Sequence, residues 1–480
     1  MNQTFPRRNL GLESLALAGI FLLHLSTVSI VSETNILYLG GDTAREAWRA
    51  WTLLKRGVLL HDYGAPYESD FYCLVFIPFL ILFKNTILCL RISGMAATTA
   101  TVLVLYAFIR RTYGLLAACC LGSIYATSPL LLAHAALGTE YGIPLWIGVF
   151  LLLDATQGVR NMKWLPLLAA GVFTSLNAYF ILPLLGYLAS KGSGSRLRAS
   201  VIARNLLSYA IGLALLSPKF ASWGSPYSYF GPRPWFVEFF MINAPRWEHP
   251  GILLGNIWSQ MTWSLGSFLT WGSAPARPLN AWLPYCWLLL FIVGFLSDAG
   301  RRWCVAFAAG LLLAALFQSP TGFGARHLLA FLPFCWMMAA PLFREFPRLV
   351  HRLPLMLMTF LIVLHQRQIC HRYSLHPSLG DRVIGNSQFL EKFLSQNPHK
   401  EITVAADNSN LYFDLKFFFP DKTIFHLETP ATPQRERIGV IFVAKEKAPT
   451  HWSDLQRRPA YLLGKYNLSG GTSYDLLYEK

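Results

Sequence analysis

"GGDTAREAWRAWTLLKRG", residues 40–57, follows directly on the first long apolar run of the chain and decides how the rest is read. Ala44, Ala47, Trp51 and Leu54 recur in it at helical spacing, so the stretch predicts an amphipathic helix. Asp42 stands just before that helix, where its carboxylate can cap the free backbone N–H groups of the first turn. An acid-led helix thus opens at the mouth of a membrane-length segment.

Outward from this point the chain is a membrane protein. Of 480 residues, 54% are hydrophobic and 14% charged, an apolar excess too large for an ordinary soluble domain. Runs near the length of about 20 apolar residues that a bilayer-spanning helix needs recur from position 10 to about position 365, separated by basic or Gly/Pro-rich breaks. The expected fold class is a polytopic α-helical membrane protein of about 11 transmembrane helices, residues 1–370, followed by a small soluble α/β domain, residues 371–480. In that tail "NSQFLEKFLSQNP" has a helical period, whereas "EITVAAD", "RIGVIFVAKE" and "SYDLLYEK" read as strands. It carries no Gly-rich phosphate loop and no cluster of metal ligands, so its expected role is structural or acceptor-docking.

The formal net charge of +16 would suggest nucleic acid in a soluble protein. Here Lys and Arg gather at the ends of apolar runs, where the positive-inside rule and anionic lipid head groups account for them; no nucleic-acid partner is expected. The eight cysteines are scattered, and Cys89, Cys119, Cys120, Cys286, Cys304 and Cys335 fall inside apolar segments, as buried small hydrophobes do. A bridge between Cys73 and Cys370 is the lesser alternative. The opening apolar stretch is too long for a signal h-region and lacks a small-x-small cleavage site, so it reads as an uncleaved first span.

Arg7 and Arg8 put the N-terminus in the cytoplasm and Asp42 on the outer side. The run from about 86 to 109 ends at Arg110 and Arg111, a cytoplasmic end, and the next, about 114 to 134, returns outward to Glu140. This parity requires that "FYCLVFIPFLILF", residues 71–83, lie in the interface or dip in as a half-helix, which its length and Pro78 favour. Residues 33–85 and 217–280 are the expected outer loops, the second dense in Trp, Tyr and Pro as suits an interfacial anchor or a platform that stacks on sugar rings. Spans near 280–297, 303–318 and 327–342 alternate around a cytoplasmic "GRRW", and one near 353–365 leads outward to the tail.

Two outward carboxylates, Asp42 and Glu140, stand at the ends of spans. A carboxylate at the bilayer edge can serve as general base toward an acceptor hydroxyl, with partial desolvation raising its pKa toward a useful value. The blander alternatives are a helix cap for Asp42, compatible with catalysis, and a solvated span-end acid for Glu140. The two acids could share a divalent cation, although no His/Asp cluster at ligand spacing accompanies them. In "TGFGARHLLAFLPF", Arg326 and His327 begin a span after a glycine-rich turn. A guanidinium there can clamp a phosphate bidentately, or snorkel as an interfacial anchor, and Lys219 is a weaker candidate for the same phosphate.

In this order the elements resemble the GT-C membrane glycosyltransferases, in the bacterial branch related to protein O-mannosyltransferases and the lipid A aminoarabinose transferase. The resemblance covers roughly positions 10 to 345. It rests on residues 40–57, on "YGAPYESDFY", on the stretch from "LRISGMAATTATVL" to "HAALGTEYG", and on "ARHLLAFLPF". It implies inverting transfer of a sugar from a polyprenyl-phosphate carrier to an envelope glycan, lipid or protein acceptor on the outer face of the cell membrane. By the same resemblance Asp42 matches the base, Glu140 the second acid that orients substrate or a metal, and Arg326 with His327 the contacts to the donor phosphate. The chain departs from the pattern in having Thr43 where a second acid often stands, in lacking a Lys/His-Pro-Pro element, and in carrying Glu140 in place of aspartate. The rival readings are a transporter or flippase, for which neither inverted repeats nor mid-bilayer ionisable pairs stand out, and a non-catalytic membrane scaffold with this fold.

Overall fold

The computed structural model describes residues 10–34, 41–58, 72–129, 131–132, part of 292–308, 332–345, 349–374 and, in the C-terminal region, 401–405, 416–418, 420, 424–426, 438–444, 460–467 and 473–479. The expected spans between Glu140 and residue 280, the outer loop 217–280 and the segment holding Arg326 and His327 lie outside the described residues.

Helix α1, Leu10–Thr34, is the first apolar run. At 25 residues it reaches about 37 Å, more than the roughly 30 Å of bilayer hydrocarbon. Leu12, Leu15 and Leu22 face outward from it, as lipid-facing side chains do. After α2, Gly41–Arg56, a 3-10 turn at Tyr72–Phe76 leads into α3, Ile77–Phe83, with Pro78 in its first turn, where a missing N–H costs nothing. Seven residues give α3 about 10 Å, so it cannot cross the membrane. Lys84, with φ of 54°, closes α3 by donating its backbone N–H to Leu80 O, and Thr86 caps the turn by donating its hydroxyl to Phe83 O. The chain thereby reverses into α4, Ile87–Tyr113, the second membrane-length helix.

Gly114, with φ of 99°, turns α4 into α5, Leu115–Ala126. Within the expected 114–134 run, α5 breaks at Thr127–Ser128, where Pro129 removes a donor and pushes Ser128 out of helical geometry, and helix resumes at 129 and 131–132. Two later helices, α6 (Leu332–Glu345) and α7 (Leu349–Ser374), pack on α5, and α7 also lies along α1. α7 is longer than the expected 353–365, and Leu353, Leu357, Phe360, Leu361 and Leu364 make an exposed apolar stripe along it.

Long-range contacts fix the relative directions. Arg110 near the end of α4 pairs with Glu13 at the start of α1, so the two helices run antiparallel. Trp303 donates its indole N–H to Tyr113 Oη at 2.9 Å and meets Phe108 edge-on at 6.1 Å, which brings the "GRRW" segment to that same end. Deeper in the bundle, the His24 ring joins Ala126 O (2.9 Å) and Thr98 Oγ1 (3.3 Å), and Thr127 donates to Gln366 Oε1 at 2.7 Å, tying α1, α4, α5 and α7 together. His24 is thus a bundle-core residue with partners on two neighbouring helices. The opposite end carries α2, the 3-10 turn and α3.

The cysteines behave as small core residues. Cys73 and Cys89 are buried in the cluster under α2, Cys120 and Cys304 are buried, Cys119 is partly buried, and Cys370 sits with Val28 and Leu132 in another cluster, none of them in a disulfide. Cys73 and Cys370 therefore form no bridge.

Among the described residues of the C-terminal region, five strands form one sheet in the order β2-β1-β3-β5-β4: β1 Glu401–Ala405, β2 Ile424–His426, β3 Ile438–Ala444, β4 Ala460–Asn467 and β5 Ser473–Glu479. β1 pairs in parallel with both β2 and β3, whereas β5 is antiparallel to β3 and β4. β3, the apolar "IGVIFVA", takes the middle place, as near-continuous apolar strands do. β2 and β4 went unread in the sequence. Because β1 and β2 are parallel, the chain between them must cross over, and residues 416–418 lie in that crossover.

Candidate active site

The site is built on α2. Ala44, Ala47 and Ala50 repeat every three residues, and these small side chains, all fully buried, let the 3-10 turn and the start of α4 approach closely. They share a packed cluster with Trp51, Cys73, Phe76, Leu80, Cys89 and Leu90. Of the predicted apolar stripe, Leu54 departs: it is 41% exposed, because the last turn of α2 runs past the cluster.

Helix α2 begins at Gly41, one residue before Asp42. Asp42 therefore stands inside the first turn, not ahead of it, and a carboxylate there is favoured by the positive end of the helix dipole. Its backbone is thus fixed by a helix that is itself almost entirely buried from Ala44 to Thr52. Glu140, Lys219, Arg326 and His327 lie outside the described residues.

Sequence reasoning missed the charges that α2 buries. Glu46 is fully buried and accepts from Arg49 Nη1 through both carboxylate oxygens, each at 2.9 Å, while Arg45 Nε approaches Glu46 Oε1 at 3.4 Å. Arg45 and Arg49 are also buried. An i,i+3 pair on an amphipathic helix ordinarily faces water, so nothing in the spacing announced burial. The usable signal is that these charges are interleaved with alanines and tryptophans through 44–51, which leaves no polar face wide enough to expose them.

Two further cations stack on the tryptophans of the helix, one from its own last turn. The Arg56 guanidinium lies 5.5 Å from the centre of the Trp51 ring, and Lys416 Nζ lies 5.9 Å from that of Trp48. Burial, and then the nearby Arg56 charge, push the Lys416 ammonium below its ordinary pKa. On α4, Arg91 has an Nη2 that is shut off from solvent and meets no partner among the described residues. Helix α2 thus carries Arg45 and Arg49 paired with its own Glu46, Arg56 in its last turn, and Lys416 beside it. Among the described residues, no three His, Cys, Asp or Glu side chains gather in a metal-binding group.

No protein-family model and no curated protein matches this sequence. Solved structures do. The chain is similar to ArnT from Cupriavidus metallidurans bound to undecaprenyl phosphate, at 12% identity and a TM-score of 0.61 over 98% of each chain. It is also similar to the Archaeoglobus fulgidus oligosaccharyltransferase in complex with Zn and sulfate, at 11% identity and a TM-score of 0.55, over 96% of this chain and 72% of that one. The chain has the polytopic helical GT-C fold.

Proposed function

We propose that this protein is an inverting membrane glycosyltransferase that moves a sugar from a polyprenyl-phosphate carrier to an acceptor hydroxyl on the outer face of the cell membrane. The observation that carries the reading is the chain-long likeness to an ArnT structure that binds undecaprenyl phosphate, together with the place of Asp42 in the first turn of the buried α2. Residues 1–370 form the membrane transferase, and 371–480 form an extracytoplasmic α/β domain above it.

In this reaction Asp42 takes the proton of the acceptor hydroxyl as its oxygen attacks the anomeric carbon. The bond from that carbon to the phosphate oxygen breaks, and the electron pair leaves with the lipid phosphate. Arg326 and His327, with Lys219, stabilise the charge on the departing phosphate, the electrostatic half of the task. Glu140 orients the acceptor. Asp42 and Glu140 are also the residues that would hold a divalent cation, and no step of the transfer is assigned to it.

The test is transfer of radiolabelled sugar from a panel of polyprenyl-phosphate sugars in membranes carrying the wild-type chain or Asp42→Asn, at matched expression and thermal stability. Wild-type membranes are expected to transfer label and the variant to lose at least about 100-fold of it. Equal transfer would leave Asp42 a helix-end residue only, and no transfer from any donor would remove the glycosyltransferase reading.

A further inference from the structure

The crossover between β1 and β2 reaches out of the sheet and enters the cluster beneath α2. Phe417 is fully buried there, among residues of α2, the 3-10 turn, α3 and α4. Its backbone carbonyl accepts from Asn85 Nδ2 at 3.0 Å, at the reversal between α3 and α4. Phe418 packs against the same cluster and meets the Phe417 ring edge-on at 5.2 Å, and Lys416 lies against Trp48 on α2. A short segment of the C-terminal region thus touches α2 and also the turn that α2 packs on.

We infer that Lys416–Phe418 is a clamp by which the C-terminal region holds α2, and with it Asp42, in catalytic position. Three physical points carry this. The parallel β1–β2 connection must leave the ladder, and the part of it at Lys416–Phe418 is packed on the helices of the membrane domain. A fully buried phenylalanine is among the strongest single packing contacts a core offers, and Phe417 makes its contacts with α2 and its neighbours. Finally, α2 is only 16 residues long, too short to span the membrane, and depends for rigidity on what packs against it. Phe417 is a positioning residue, since it meets neither substrate nor reacting atoms. The inference rests on the proposed transferase function for its kinetic readout.

The experiment uses the full chain in detergent or proteoliposomes, with the polyprenyl-phosphate sugar that the wild type uses as donor. Phe417→Ala is expected to lower kcat roughly 10- to 100-fold while the donor KM stays within about twofold, because misplacing a fixed catalytic group by about 1 Å costs on that order. Amide hydrogen exchange across 41–56 should rise in the same variant, and Phe417→Leu should restore both. Wild-type kcat in Phe417→Ala overturns the clamp, whether or not exchange rises, as does a rise in KM with kcat unchanged. If Phe417→Ala does not fold, Phe417→Val and Asn85→Ala take its place; each is expected to lower kcat several-fold at constant KM, and normal kcat in both overturns the inference. If the wild type transfers no sugar, the functional proposal fails separately and exchange decides the clamp alone: increased exchange at 41–56 in Phe417→Ala keeps it, and unchanged exchange removes it.

Discussion

At the scale of single residues, the energetics of the site centre on Glu46. A carboxylate with no exposure needs cationic partners, and here Arg49 meets both its oxygens and Arg45 approaches one of them. Removing one partner of a buried ion pair leaves the others desolvated without their counter-charge, which costs about 3–5 kcal/mol. Glu46→Ala is therefore expected to destabilise the protein by that amount, read as a lower thermal midpoint in detergent by size-exclusion thermostability. A shift no larger than that of an exposed control such as Lys55→Ala would mean that the Arg pair finds equivalent partners. Asp42 was legible as the acid at the head of its helix because a carboxylate beside a helical apolar pattern is a local signal. Glu46 was not, because burial is a property of what surrounds a residue.

At the scale of elements, the joints are as informative as the helices. α4 and α5 are separated by Gly114 alone, with φ of 99° and ψ of 173°, a region open essentially to glycine. Gly114→Ala is expected to cost about 1–3 kcal/mol and to lower the unfolding midpoint accordingly. Gly19→Ala in α1, where an added Cβ meets nothing within 4 Å, should leave the midpoint in place or raise it. Should the two variants behave alike, the α4–α5 joint is not under backbone constraint. Helix α3 teaches a complementary point. Its 13-residue apolar parent segment, 71–83, was expected not to cross, and a helix of seven residues after a 3-10 turn does not. The antiparallel pairing of α1 with α4, seen in the Glu13–Arg110 ion pair, agrees with that.

At the scale of the whole molecule, the C-terminal region and the membrane-associated end meet through Lys416, Phe417 and Phe418. Lys416 offers a pH readout of that contact. Its folded pKa lies below the ordinary 10.5, so in the window between the lowered value and 10.5 the unfolded chain binds more protons than the folded one. Stability should accordingly rise with pH across that window, and the penalty should be fully present below it. Lys416→Met is expected to flatten this alkaline rise and to improve stability at neutral pH, measured as thermal midpoint against pH. An unchanged pH profile would place Lys416 in solvent and away from Trp48.

The sequence by itself determined the class of the molecule. Membrane-length apolar runs, their basic ends, the acid-led helix and three of the five strands are each written in a few consecutive residues, because hydropathy and period are local. Tertiary structure alone decided which distant pieces share an environment. It brought Glu13 to Arg110, Trp303 to Tyr113 and the "KFF" of the β1–β2 crossover to the helix of Asp42, contacts between residues far apart in the chain. It also decided that Arg45, Glu46 and Arg49 are buried together. Such pairings depend on how helices pack and where a parallel sheet sends its crossover, and no short stretch of sequence contains that information.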